Sequence, residues 1–409
     1  MTQYLSLLGK RIPFVIIAIF SLSILSFTVE GVAARPAMKA SNNPLCISYD
    51  SKERLITVTC RSARLTDIAN KLKDGNILKR QSLSSSSSSV EGSNNRGREE
   101  TNTDTVWLLN AGLLIDKGAT FYINSTDTKW LKLIAAEEKT DAYPIQVYGS
   151  LKVDSVKITS WNPKTNDYAL TPDSERNGIK THIGTPRPYI RVEEGATGTT
   201  DITNSEIAYL GYEGGLTGAG VGRTGFRYDG GDGSIIRNNN IHHLWLGFYS
   251  KRVGGLVIEN NHIHHNGHYG LDPHTGTHDM IIRNNTVHDN GSIGIICSLD
   301  CYNVSIENNK VYNNAKTGIM FSRNMTNSVA KNNIVSNETR CIFISQSHNN
   351  EIYNNSVSTC DIGIDLSAKS SKNTIYNNTI ANSTKDIVVD NVGTGNKLYS
   401  NKVMNTAGT

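Results

Sequence analysis

Aromatic residues make up only 7% of this 409-residue chain. No stretch in the body of the sequence carries the 3.6-residue apolar period of an amphipathic helix of useful length. Together with 35 glycines, these shortages argue against a compact α/β enzyme and for an extended β architecture. An excess of either charge is also missing. The 41 Lys and Arg against 37 Asp and Glu leave a formal charge of +4, too small and too dispersed for the phosphate grip of a nucleic-acid binder, so no nucleic-acid partner is expected. No Cys-x-x-Cys spacing occurs, which argues against structural zinc. The leucine framework of leucine-rich repeats is absent as well.

Lys10 and Arg11 precede an apolar run over residues 12–29, followed by Val32-Ala33-Ala34. This is the pattern of an export signal with a small-residue cleavage site, expected over residues 1–34, so the protein is expected to be secreted or at the cell surface. The run also has the length to stay uncleaved as an anchor, the one case in which a membrane partner is expected. Nothing after it is apolar enough to span a bilayer. Six cysteines in an exported chain point to disulfides. Cys46 and Cys60 bracket a hairpin pattern over residues 47–59 and are the expected pair; the pairing of Cys297, Cys301, Cys341 and Cys360 stays open.

Residues 35–77 read as an N-terminal cap with that hairpin and a short helix at Leu65–Leu72. Residues 78–104 collapse to Ser, Asn, Gly, Arg and Glu, including the run 84–89, and read as a disordered linker. From Thr105 to the end, short strand patterns alternate with turn residues. A Gly-Ile-x motif then recurs at Gly225, Gly247, Gly270, Gly294, Gly318, Cys341, Gly363 and Asp386, with spacings of 22, 23, 24, 24, 23, 22 and 23. An Asn-Asn pair keeps the same phase from Asn238-Asn239 to Asn377-Asn378. A period of about 23 residues without helices is one coil of a right-handed parallel β-helix, expected over residues 105–409, with the repeated Asn side chains forming ladders from coil to coil. The Asn columns are therefore architecture, and they account for most of the Asn-x-Ser/Thr sequons.

Side chains alternate along a strand, so if the residue after each Gly points inward, those two and four positions after it face outward. The two outward columns read Arg227, Tyr249, Asp272, Ile296, Met320 and Asp229, Lys251, His274, Ser298, Ser322. Ionisable groups concentrate in the three coils around Asp272, and adjacent coils lie only about 4.8 Å apart. Lys251, Asp272 and His274 are therefore expected to face one ligand on a single exposed strip. Pro273, in a strand where it removes a ladder donor, marks the same segment.

The run Tyr269-Gly270-Leu271-Asp272-Pro273-His274 resembles the Tyr-Gly-x-Asp-Pro-His signature of mannuronan 5-epimerases, enzymes that convert mannuronate to guluronate within alginate. Further similarity lies at Ser160-Trp161-Asn162, Arg187-Pro188-Tyr189-Ile190 and Leu210-Gly211-Tyr212. The resemblance spans roughly Trp107 to the end. It implies a right-handed β-helix whose proton-transfer pair is Tyr269 and His274, with Asp272 beside them as a third catalytic residue. The periplasmic branch of that family continues the signature with Asp and the secreted calcium-dependent branch with Glu; here the residue is Thr275, and Ser298 stands where the secreted branch has a carboxylate.

Removing the C5 proton of a uronate requires the neighbouring carboxylate to be neutralised. Lys251, Arg252 and Arg227 are candidates, with Tyr249, His268 and Arg323 as further substrate contacts. His274 suits the base, Tyr269 the acid, and Asp272 either orients His274 or shares a proton with the substrate carboxylate. His264, His265 and His278 crowd the same stretch of sequence and read singly as surface residues. The expected partner is an acidic polysaccharide and the expected state a monomer. No metal or other cofactor is expected, and no residue pattern indicates calcium. Two alternatives share these features: a lyase that follows the same proton abstraction with loss of the C4 oxygen, and a non-catalytic carbohydrate-binding or copper-handling β-helix. For copper, Met and Cys are sparse in the columns.

Overall fold

A computed structural model describes residues 46–82, 105–135, 142–170, 186–212 and 224–404. The expected export signal and residues 83–104 of the expected linker lie outside the described residues. No helix among the described residues is long and apolar enough to cross a membrane.

The repeat closes into coils that each give one strand to each of three sheets, of 13, 12 and 13 strands. Among the described residues, strand pairing is parallel except at the N-terminal end and at the isolated bridge Asn162↔Asp167. There, Ile47–Asp50 and Leu55–Val58 form the expected hairpin, in register Ile47↔Val58, and the Cys46–Cys60 disulfide closes it. The helix Leu65–Leu72 falls where the sequence places it, with Leu65 and Ile68 buried. Leu78–Ser82, at the start of the stretch read as a linker, is instead a strand antiparallel to Thr105–Leu109. The apolar Leu78 is buried there, and its cross-strand partners lie beyond the low-complexity run, out of reach of a local reading.

The residue after each motif glycine does point inward. Phe226, Phe248, Leu271, Ile295, Ile319, Ile342 and Ile364 are at most 1% exposed and stack coil on coil, Ile295↔Ile319↔Ile342↔Ile364. Each such buried side chain contributes roughly 2 kcal/mol. The glycines before them are steric: a Cβ on Gly270 would sit 2.6 Å from the carbonyl oxygen of Gly294. Where Cys341 takes this position, its thiol is used in a disulfide with Cys360. Cys297 and Cys301 are free and buried.

The two members of each Asn-Asn pair divide the work. The first takes the left-handed conformation at the corner, as at Asn260, Asn284 and Asn308 (φ 55°, 56° and 56°), which Asn tolerates better than most residues. The second forms the ladder. Nδ2 of Asn239, Asn261, Asn285, Asn309, Asn333, Asn355 and Asn378 donates to Oδ1 of its counterpart one coil on, at 2.9–3.0 Å. The same oxygens accept the backbone N–H of the preceding rung. In a sequon such as Asn284-Asn285-Thr286 the acceptor is thus the exposed corner Asn284, while the ladder member Asn285 is buried.

Candidate active site

Strands Gly225–Tyr228, Leu246–Lys251, Asp272–His274, Ile293–Ser298 and Thr317–Ser322 lie side by side in the first sheet. Their register assembles most of both expected columns, in two pieces for the first, Arg227↔Tyr249↔Asp272 and Ile296↔Met320, and as Lys251↔His274↔Ser298↔Ser322 for the second, while Asp229 lies past the end of its strand. Pairing thins at Pro273, which has no N–H to give; toward the following strand only His274↔Ser298 and the bridge Leu271↔Ile295 remain.

The second column is the more open one. His274 is half-buried, and both ring nitrogens are engaged: Nδ1 lies 2.5 Å from Thr275 Oγ1 and Nε2 lies 3.1 Å from an Arg323 Nη2. Guanidinium groups only donate, so Nε2 accepts; in a neutral ring Nδ1 then carries the proton and donates to Thr275. Burial, followed by the charges of Arg323, Arg227 and Lys251, pushes the His274 pKa down to about 4. The ring stacks on Tyr249 at 5.4 Å. Arg323, exposed after the fifth strand with φ 51°, is held from below by Ser298, whose hydroxyl accepts from its Nε at 3.1 Å and from Nη2.

The first column faces away from the core but is not open to solvent, contrary to the expected exposed strip: Arg227 is 9% exposed, Tyr249 4% and Asp272 4%. Burial drives the Asp272 carboxyl well above the usual carboxylate range, with Arg323 pulling the other way. Burial thus favours the protonated form of Asp272, and its Oδ1 has no hydrogen-bond partner among the described residues. Burial and the neighbouring Arg227 and Asp272 leave Tyr249 at about 12. Tyr269, in the turn before Asp272, is raised by burial and by Asp272, so its phenol keeps its proton.

Among the other expected residues, Lys251 sits half-buried opposite His274. Arg227 is engaged by Asp229, Nε to Oδ2 at 2.6 Å, and covers the Tyr249 ring at 4.8 Å; Arg191 bonds the same carboxylate. The charge of Arg227 reaches His274, but its Nε is committed to Asp229. Arg252 is an exposed corner residue with φ 56°. His268 lies between Trp245 and Tyr269, ring centroids 5.7 and 3.8 Å away, and burial pushes it down to about 4. Among the described residues no carboxylate hydrogen-bonds the His274 ring; its Nδ1 is held by Thr275 and not by Asp272. The sequence singled out Thr275 only as a departure from a family pattern, and Ser298 as such a departure and as a member of the second column. His264 and His265 do not join this site: His262–His264 belongs to the third sheet. His278 instead bonds Asp279 and stacks on Tyr302.

Two of the upstream motifs are built into the fold. Buried Arg187 staples the carbonyls of Gly211 and His243, at 2.6 and 3.2 Å, and Tyr212 is 2% exposed.

Stacked parallel coils define a right-handed β-helix protein, and on its first sheet they gather a guanidinium-capped imidazole and a buried carboxyl. The model of the right-handed β-helix region matches residues 190–357 and 296–409, and the chain belongs to that family. Among solved structures, the periplasmic alginate epimerase AlgG is similar at 20% identity, over 86% of this chain and 85% of that one, with a TM-score of 0.64. A point mutant of AlgG gives 19% identity, the same coverage and a TM-score of 0.64. No curated relative matches the sequence.

Proposed function

We propose that the chain is an epimerase of mannuronan type, inverting C5 of uronate units in an exported acidic polysaccharide. The observation that carries this reading is the Arg323–His274 contact. A cation and a general base that share one hydrogen bond are placed to engage a carboxylate and the carbon next to it. The similarity to an alginate epimerase supports the choice of substrate class.

An arriving carboxylate takes the Arg323 N–H groups and so uncovers His274 Nε2. It also offsets the cationic charge that depresses His274, raising the basicity of the ring as substrate binds. Nε2 then removes the C5 proton. The resulting charge spreads onto the carboxylate, held by Arg323 and by the O–H of neutral Asp272. The phenol of Tyr269 returns a proton to the opposite face, and solvent restores the imidazole and phenol. The test is incubation with polymannuronate in deuterated water. Solvent deuterium at C5 without unsaturated ends is expected, and its loss in folded His274→Ala. Unsaturated ends in place of inversion assign a lyase; polymer binding without exchange overturns catalysis.

A further inference from the structure

A second cluster of ionisable side chains lies on the third sheet, outside the site. His242 and His264 pair in register, as do His264 and His288, and their rings stack at 5.0 and 5.2 Å. The residues after the first two, His243 and His265, also stack, at 5.5 Å. Both occupy the left-handed corner, φ 56° and 53°, which folds each side chain back onto its predecessor. The result is two stacked His-His pairs with facing nitrogens: His242 Nδ1 to His243 Nδ1 at 2.7 Å and His264 Nδ1 to His265 Nδ1 at 2.8 Å.

The far side of each leading ring decides which nitrogen is bare. His242 Nε2 lies 3.3 Å from the Glu206 carboxylate, and His264 Nε2 lies 2.9 Å from Asn240 Oδ1. Both partners accept, so Nε2 carries the proton and Nδ1 presents its lone pair to the paired histidine. A carboxylate or carbonyl holding the second ring nitrogen is how proteins fix the tautomer of a metal-binding imidazole. The hydrogen bond to His242 is also the leading cause of the drop of Glu206 to about 2.

We infer that the pairs His242/His243 and His264/His265 are two adjacent chelating sites for a divalent first-row transition ion of tetragonal preference, copper(II) or nickel(II). Two nitrogens each about 2.0 Å from a metal stand about 2.8 Å apart when they occupy neighbouring right-angle positions and about 3.3 Å apart at a tetrahedral ion. In the metal-free protein each pair is closed by an N–H···N hydrogen bond of 2.7 or 2.8 Å, a separation that an ion replacing the shared proton can use at the first geometry. Among the described residues no three His, Cys, Asp or Glu side chains form a ready cage, so each ion takes two protein nitrogens and completes its shell with water. The inference does not depend on the epimerase reading.

The test is titration of the full chain with copper(II) in a non-coordinating buffer at neutral pH, followed by calorimetry and by nitrogen splitting in electron paramagnetic resonance. His243→Asn and His265→Asn keep the corner, since Asn313 and Asn337 fill the equivalent positions in later coils with φ 57° and 56°. The double variant is expected to lose about two ions per chain, and His265→Asn alone about one, with metal-free thermal unfolding unchanged. A wild type that binds no copper at micromolar concentration, or a double variant that loses fewer than two ions, overturns the inference.

Discussion

Arg323 and His274 are 49 residues apart in sequence, yet the guanidinium and imidazole share a 3.1 Å hydrogen bond because two coils of the solenoid separate them. Arg323 simultaneously bonds Ser298, from the coil between. The three residues thus form a vertical stack in which a buried hydroxyl aims a cation at a base.

Arg323→Lys keeps the charge but loses the fork that spans Ser298 and His274. Turnover on polymannuronate is expected to fall about 100-fold. Thermal stability should hardly change, since Arg323 is exposed. Near-wild-type exchange at C5 would remove Arg323 from the mechanism.

Thr275→Val removes the acceptor of His274 Nδ1–H and lets the proton move to Nε2, the atom that must be bare. A drop of about tenfold in kcat with little change in KM is expected. The pH–rate profile should change with it, a shift that a merely structural role for Thr275 does not produce.

Both positions show where the sequence stopped being informative. The columns were legible because the period of about 23 residues fixes which positions stack, and Lys251, Asp272 and His274 follow from counting. Hydrogen-bond direction does not follow from counting. Thr275 and Ser298 looked like losses of carboxylates, yet each supplies a neutral oxygen that fixes a neighbour. Burial of the first column was equally hidden, because outward direction along a strand does not reveal whether solvent reaches the side chain. The Leu78–Ser82 strand was missed because its partner lies across the low-complexity run.

Histidine burial sets the acid limit of the fold. His264 is pushed down to about 3, and His268 and His274 to about 4, with burial the leading cause in each. The unfolded chain takes up these protons near 6.5. Between about 6.5 and 4 it therefore binds more protons than the fold, and stability falls as pH falls. Thermal unfolding followed from pH 7 to 4 should show a decline, shallower in His268→Phe, which keeps a ring between Trp245 and Tyr269. An equal slope in that variant would count against His268.

Glu338 behaves with the opposite sign. It ends the short ladder Asn266, Asn290, Asn314, where its Oε1 accepts from the Asn314 backbone N–H and Nδ2 at 3.1 and 2.8 Å. Burial raises it to about 8. Its stabilising contribution is full below the ordinary glutamate value and is lost as pH rises through about 8. Glu338→Gln retains the acceptor without the titration. It should raise Tm by a few degrees at pH 9 and leave it nearly unchanged at pH 5. Equal effects at both values would contradict the assignment.

Asn309→Ala removes the acceptor of the Asn285 backbone N–H and of one of the two Asn285 Nδ2 hydrogens, and the side-chain donor to the carbonyl of Ile282. A loss of about 2–4 kcal/mol in urea unfolding is expected. Asn308→Gly, at the left-handed corner beside it, should cost little. Comparable costs for the two would contradict the division of roles within the pair.

The main asparagine column also has a direction. Each amide from Asn239 onward donates to the next coil, and its oxygen faces the coil before. Amide dipoles aligned in this way add rather than cancel, as they do along a helix. The column therefore carries an axial electrical polarity that grows by one amide per coil, negative toward the amino-terminal end. No single rung can flip without breaking both of its neighbours.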